Sequence, residues 1–419
     1  MTVDSTTLDG WFKDRYETNG RTIVPEFSDV ATSIPFRSDQ MKLGAEYVFN
    51  ARVRRAHGVT YGGTAATAFT LNAVRSGQTT DGRQASYQMV MREQIAYGVI
   101  SRAQTSEQAF GNAFDEVVRD IENSFSFYRE LGLLYGSSSI GTITAGGFGA
   151  VTSATLTITQ GTWAAGIWAQ MEGAAVDIYS APGGAQRNTT GAIVVGAVDF
   201  GARTVAITGA AADINAITAN DVLIPFGADA NWAPGFDVLV PSSATVVHGI
   251  NPATYGLWQG NSIALTAAMT FAQAQKGSAR VAVRGGMGKL VLRVSPLTWA
   301  DLNNDVAALR RYAAAVKADA DLGTQSISFY GQTGAVEIRP HPMVKAGEAF
   351  GTMDSYFKRV GSADISFRLP GADGQQPRFF RELDGVAGVE LRAWSDQALV
   401  TFNRAKQVKF TGIVNTQAA

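Results

Sequence analysis

Residues 104–136 read QTSEQAFGNAFDEVVRDIENSFSFYRELGLLYG, and the rest of the chain is arranged around them. Thr105 and Gln108 have capping-box spacing, in which hydroxyl and amide satisfy the first orphan N–H groups of a helix. Phe110, Phe114, Val117, Val118, Ile121, Phe125 and Tyr128 recur three and four residues apart, which lays them on one helix face. Asp115, Glu116, Arg119, Asp120, Glu122 and Arg129 take the other side, and Gly136 stands where a helix stop belongs. At ~1.5 Å per residue the predicted rod is roughly 45 Å long. It is a spine on which sheets can be laid.

Upstream, AEYVFNARVRR (45–55) alternates Tyr47, Phe49, Ala51 and Val53 with polar residues. SYQMVMREQIAYGV (86–99) alternates Tyr87, Met89, Met91, Ile95, Tyr97 and Val99. Both carry the period of a strand, and we read the second as the return strand of a hairpin. The intervening residues 57–85 are rich in Gly, Thr and Ala. A connection of that length is functional or disordered, and a lone hairpin is marginal in water. Its apolar face therefore predicts intermolecular contact. Ahead of it, DGWFKDRY (9–16) predicts a short helix offering Trp11 and Phe12 for docking, and irregular sequence to Gln40 reads as an arm.

Downstream, composition shifts. ATLTITQ (154–160), AVDIYSA (175–181), AIVVGAVDF (192–200) and RTVAITG (203–209) read as short strands with Gly and Pro at the turns. Residues 141–238 hold seven carboxylates (Glu172, Asp177, Asp199, Asp213, Asp221, Asp229, Asp237) against Arg187 and Arg203, a net charge of −5 with no lysine. This acidic segment predicts an inserted small barrel or sandwich. Beyond it, Ala264–Lys276 is a helix candidate closed by Gly277. A second helix opens with Ser295 as N-cap and Pro296 in the first turn, carrying Leu302, Val306, Leu309 and Val316. Strand signals return between Ile327 and Ile413. Helices and strands come in blocks, which predicts an α+β fold.

The length of 419 residues suggests two to three domains, and 46% hydrophobic content supplies real cores. A net charge of −1 argues against a nucleic-acid clamp or a polybasic membrane binder. With no cysteine there is no disulfide scaffold, thiol chemistry or Cys-built zinc site, which suits a reducing cytoplasm. No signal peptide or membrane-spanning run is readable. Charged residues reach 17%, below the roughly 25% of an average domain. Together with 45 glycines this hints at surface buried against neighbours.

Catalytic chemistry is hard to place. His57, His248 and His341 are scattered without metal-ligand spacing and read as surface or satisfied core histidines. RGGMGKL (284–290) fails the phosphate-loop pattern at Val283 and Leu290, and reads as a Gly-rich turn between strands. GVTYGGT and GSSSIG lack a following phosphate-binding helix, and no nucleophile elbow occurs. Asp319 and Asp321 fit a solvated helix end. Asn188-Thr-Thr matches a glycosylation acceptor by chance. Arg52, Arg54 and Arg55 read equally as an inter-subunit salt-bridging cluster or a solvated strand face. We assign no catalytic, cofactor-binding or metal-ligating residue, and expect a structural protein rather than an enzyme.

The order of elements resembles that of the major capsid proteins of tailed bacteriophages, which share the Hong Kong 97-type shell fold. The resemblance spans nearly the whole chain. It rests on LDGWFKDRY, on KLGAEYVFNARVRRAHGVTY before a long loop, on the spine, on GINPATYGLWQGN (249–261), on the RRY helix and on the ending VKFTGI. It implies an N-terminal arm (1–43), an extended loop (44–100), a peripheral domain with the spine helix (101–140) and a β-rich insertion (141–238). It further implies an axial domain (239–345), peripheral return strands (346–385) and C-terminal strands (386–419). The implied function is self-assembly, as hexamers and pentamers, into an icosahedral head around double-stranded DNA. Portal, scaffolding and decoration proteins would be partners, with assembly in the host bacterial cytoplasm and residence in the virion.

Three departures from family patterns follow. With the extended loop beginning near residue 44, we expect no scaffolding segment ahead of the arm and a separate scaffolding protein instead. Some members weld subunits through a loop lysine, but none occurs between Lys42 and Lys276, so no such cross-link is expected. The acidic insertion would be repelled by DNA, placing it on the outer surface or at inter-subunit contacts. The spine's charged face would look toward the shell interior or a neighbour. Alternatives are an encapsulin-type nanocompartment shell and a monomeric β-rich binding or adhesion module.

Overall fold

The spine forms a helix of 29 residues, Glu107–Tyr135. The structure, a computed structural model, describes residues 28–37, 46–64, 68–98, 107–305, 327–367, 380–382 and 387–416. The arm helix with Trp11 and Phe12, the Thr105 cap, the helix beyond Asp305, and Asp319 and Asp321 lie outside the described residues, as do the side chains of Phe110 and Phe114. Ile121 and Phe125 are buried against Leu391 and Ala393. Burying such side chains is worth about 1.5–3 kcal/mol each. The last turns, Leu131, Leu134 and Tyr135, enter the largest core, which also holds Phe236, Leu239, Phe350 and Phe357. The predicted apolar face thus does carry the chain's own sheets. The stop works differently from its sequence reading. Ser137, not Gly136, takes the left-handed conformation (φ 56°), while Gly136 is held bare by the carbonyl of Ala233.

Three sheets are laid around this rod. In the first, the 14-residue strand Gly388–Thr401 is the common member. Phe357–Ser366 and Phe380–Glu382 follow one another along one edge, and Tyr87–Ala96 pairs along the other from Gln397 to Gly388. Phe36–Arg37 adds a parallel edge to Phe357–Ser366.

That pairing corrects the predicted hairpin. Tyr87–Ala96 is not the return strand; Glu46–Arg54 pairs instead with Gln78–Ala85, and Ser86 alone separates the two strands. The sequence QTTDGRQA has no apolar alternation, so periodicity could not find it.

The second sheet lies within residues 141–225, in the order Gly141–Thr142, Val222–Pro225, Ala175–Tyr179, Ile193–Asp199, Thr204–Thr208, Ser153–Thr157. Its ends meet. Ile143 bridges Ile158, and the Thr159 N–H donates to the Thr142 carbonyl at 2.8 Å. Of the two predicted forms it is therefore a small closed barrel, filled by Leu156, Val176, Ile178, Ile193, Val205 and Leu223.

The third sheet runs Asn261–Ala264, Val408–Thr411, Glu348–Thr352, Leu290–Val294, Gly334–Pro340, Ile327–Gly331 and has its own core. The helix on it spans Phe271–Val283, not Ala264–Lys276, with Thr270 and Gln273 as its capping box. Gly277 does not stop it. A Cβ there would lie 2.5 Å from the Phe410 ring, so this glycine admits the sheet to the helix. Ser295 caps the next helix, Pro296–Asn304, as predicted. RGGMGKL is a turn from helix to strand rather than between strands.

Candidate interaction surface

The base of the hairpin Glu46–Arg54/Gln78–Ala85 is seated on the body through aromatic rings. Phe49 lies edge-on to Phe402 (5.1 Å between centroids) and His248 (5.9 Å), and tilted toward Trp258 (6.2 Å). Gly82, directly opposite in register, leaves the room: a Cβ would fall 2.3 Å from the Phe49 ring. Gln78 donates to the Tyr255 hydroxyl at 3.0 Å, and Arg54 stands over the Tyr255 ring. GINPATYGLWQGN, one of the stretches on which the resemblance rests, is therefore the seat of the hairpin, through Ile250, Tyr255 and Trp258.

His248 pins that seat. Its Nε2 accepts from the Thr401 N–H (3.2 Å), so Nδ1 carries the proton and donates to Gln84 Oε1 (2.9 Å). Its carbonyl accepts from the Arg83 N–H (2.9 Å). Burial, aided by the Arg404 charge, drives its pKa down to about 3, and the ring is neutral at pH 7. It is a satisfied core histidine, as read, but one joining two parts of the chain.

Beyond the base the connection is apolar and open. Val59, Tyr61, Phe69, Leu71 and Val74 are 64, 89, 51, 74 and 85% exposed. Its two limbs are tied, by the His57 N–H to the Arg75 carbonyl (2.8 Å) and by Asn72 to Thr60 and Val59. Arg52, Arg54 and Arg55 are exposed beside it and make no ion pair among the described residues. Large apolar groups gathered on an exposed connection mark a surface to be covered.

Ahead of the hairpin in sequence, the five-residue helix Asp29–Ser33 is clamped by charge. Glu130, fully buried on the spine, accepts from the N–H groups of Val30 (2.7 Å) and Ala31 (3.0 Å) and from His341 Nε2 (3.0 Å). Arg359 donates to the carbonyls of Ala31 (3.2 Å) and Ile34 (2.6 Å). An anion at the N-terminus and a cation at the C-terminus oppose the helix dipole at both ends. Asp29 is gripped by Arg293 (2.7 Å) and Arg339 (2.8 Å). Burial pushes its carboxyl up, but these guanidinium groups outweigh burial and hold it below 3.8. Neither Glu130 nor Arg293 was singled out in the sequence.

A second buried ionic group joins spine, barrel exit and third sheet. Lys409 Nζ donates to Asp237 Oδ1 and to Glu348 Oε1 (2.8 Å), and Ser138 Oγ donates to Asp237 Oδ2. Lys345 donates to the Ser139 carbonyl (2.7 Å) and lies over the Tyr135 ring. Burial opposes ionisation of Asp237 and Lys409. Nearby Lys345 and Lys409 nevertheless lower the Asp237 pKa, and Glu348 and Asp237 raise that of Lys409.

Several acids of the barrel are likewise internal. Asp213 accepts from the Thr190 and Gly191 N–H groups, Asp221 pairs with Arg187, and Asp177 receives Asn188. Asn188 is 2% exposed, so the glycosylation match is a core amide. Among the described residues no cluster of three metal-ligating side chains occurs, and no helix is long and apolar enough to cross a membrane.

No protein-family model and no curated protein sequence matches the chain. Among solved structures, it is similar to a chain of the cyanophage A-1(L) capsid asymmetric unit: 12% identity, 98% of this chain and 99% of that one covered, TM-score 0.53. It also aligns with a chain from the capsid of a native GTA particle (8% identity, 98% and 99% covered, TM-score 0.48) and with one from Mycobacterium phage Adephagia (11%, full coverage of both, TM-score 0.45). The cyanophage match carries the assignment of fold: this α+β chain has the fold of a phage capsid chain over nearly its whole length.

Proposed function

We propose that this chain is the major capsid protein of a tailed phage, a structural subunit that closes into an icosahedral head around double-stranded DNA. One observation carries the reading beyond fold: the extended hairpin, seated at its base on Trp258 and Phe402, holds five large apolar side chains open to solvent. A second copy of the chain supplies the cover they need. Hexamers and pentamers are the expected assemblies, with portal, scaffolding and decoration proteins as partners and the virion as residence. The role is structural rather than enzymatic.

Within this reading the arm comprises residues 1–43 and the extended loop 44–100. The peripheral domain takes the spine and the sheet of Gly388–Thr401, and the barrel of 141–238 is an insertion into the shell fold. The axial domain of 239–345 then also takes Glu348–Thr352 and Val408–Thr411, read from the sequence as peripheral return and C-terminal strands, because they pair in the third sheet. Co-expression with its genomic neighbours followed by electron microscopy tests the proposal. Closed shells are expected, and Tyr61→Asp with Leu71→Asp should abolish them while leaving a folded subunit. A wild-type chain that stays monomeric under those conditions would sink the reading, as would shells unaffected by the double variant.

A further inference from the structure

The buried group around Lys409 has the composition of a self-condensing amide site. Lys409 and Glu348 lie on adjacent antiparallel strands, where Lys409 is in register with Phe350 and Glu348 with Thr411. Glu348 is thus two residues from Lys409's partner and shares its face of the sheet. Asp237 reaches the same point from the short helix Phe236–Leu239, after the barrel. The Lys409, Asp237 and Glu348 side chains are only 8, 13 and 16% exposed. Phe236, Phe350 and Tyr135, all fully buried, wall the site, with the Phe350 ring centroid 5.5 Å from Nζ.

We propose that Lys409 and Asp237 form an intramolecular isopeptide bond, with Glu348 carrying the protons. The resting state is the ammonium–carboxylate pair. Lys409 passes one proton to Glu348 at 2.8 Å, and the freed lone pair lies beside the Asp237 carboxyl carbon. Attack forms the C–N bond. The negative charge that gathers on Asp237 Oδ2 meets the Ser138 hydroxyl. Glu348 returns its proton to the departing oxygen, then relays a second proton from the nitrogen to that same oxygen, and water leaves with Glu348 again a carboxylate. An ammonium and a carboxylate become an amide and one water, with no net proton exchange and no oxidant or cofactor.

Glu348 suits the proton-carrying role. Its Oε2 is buried without a hydrogen-bond partner among the described residues, so one oxygen holds Lys409 while the other is open to a proton. Walls of aromatic rings exclude the water that would solvate the amine and reverse the condensation. The bond would lock the exit of the barrel, at Asp237, onto the last strand of the third sheet. It lies within one chain and does not depend on shell formation.

Intact-mass measurement of the purified, denatured full-length chain is the test. The wild type is expected to fall short of its sequence mass by one water, and digestion should yield a branched peptide joining Asp237 to Lys409. Glu348→Gln and Lys409→Arg should each restore the full mass, circular dichroism showing that both remain folded. If either unfolds, the wild-type branched peptide alone decides. A folded wild-type chain at full mass, or a missing water traced to another residue pair, overturns the proposal.

Discussion

Gly82 lies beneath the ring of Phe49, opposite it in the hairpin register, in space that any side chain would contest. Gly82→Ala should therefore displace the ring from Phe402 and Trp258, at a cost of about 1–3 kcal/mol. Thermal denaturation of the unassembled subunit would register this as a lower midpoint, with faster proteolytic cleavage in residues 55–77. An unchanged midpoint would show that the ring has somewhere else to go.

Arg293 is fully buried and uses all five of its N–H donors, on Asp29, Ser33, Thr352 and Asp354. Arg293→Met strands the partly buried Asp354 carboxylate and leaves Asp29 to Arg339 alone, and breaking such a network costs about 3–5 kcal/mol. Urea denaturation should show that loss. The double variant with Asp29→Asn should lose less than the two single losses added together.

Acid should loosen the seat of the hairpin. His248 has its folded pKa lowered from 6.5 to about 3, so between those values the unfolded chain binds the extra proton. Stability is full above pH 6.5 and falls by about 1.4 kcal/mol per pH unit below it. Asp29, whose folded pKa is lowered below 3.8, adds a further loss at still lower pH, as it takes up a proton in the folded state. Unfolding free energies of wild type and His248→Gln, measured from pH 7 to pH 4, should diverge in slope. Parallel lines would remove His248 from the account.

No covalent ladder should run through the loop. Residues 44–100 contain no lysine, so mature particles boiled in detergent should give no covalent oligomers traceable by mass spectrometry to that segment. Finding one there would require chemistry other than a lysine amide.

The barrel should face away from packaged DNA. The segment 141–238 that holds it carries a net charge of −5, and in the proposed shell a cryo-electron microscopy map is expected to place it on the outer surface or at subunit contacts. A luminal barrel would contradict this.

The parts of the fold that repeat in sequence were legible there. The spine announced itself by three- and four-residue spacing, and Ser295-Pro296 by capping chemistry. Gln78–Ala85 was hidden because its contribution to packing is the absence of a side chain at Gly82. Gly277 misled for the same reason, since a glycine making room for Phe410 looks like one ending a helix. A long connection was foreseen from its length and composition, but its exposed Val59, Tyr61, Phe69, Leu71 and Val74 were not singled out. Nor were the clamps. Glu130 and Arg293 stand among apolar neighbours as ordinary charges, and their partners lie 100 and 264 residues away. Only the folded chain brings such partners together.

The single-residue link at Ser86 has a mechanical meaning. A pull on the loop tip carried by the second limb leaves the hairpin through Ala85 and arrives at Tyr87, where ten consecutive residues are paired with Gly388–Gln397. The load is shared by a long ladder rather than concentrated at a hinge. In the proposed shell, tension between neighbouring copies would thus be delivered straight to the strand beneath the spine.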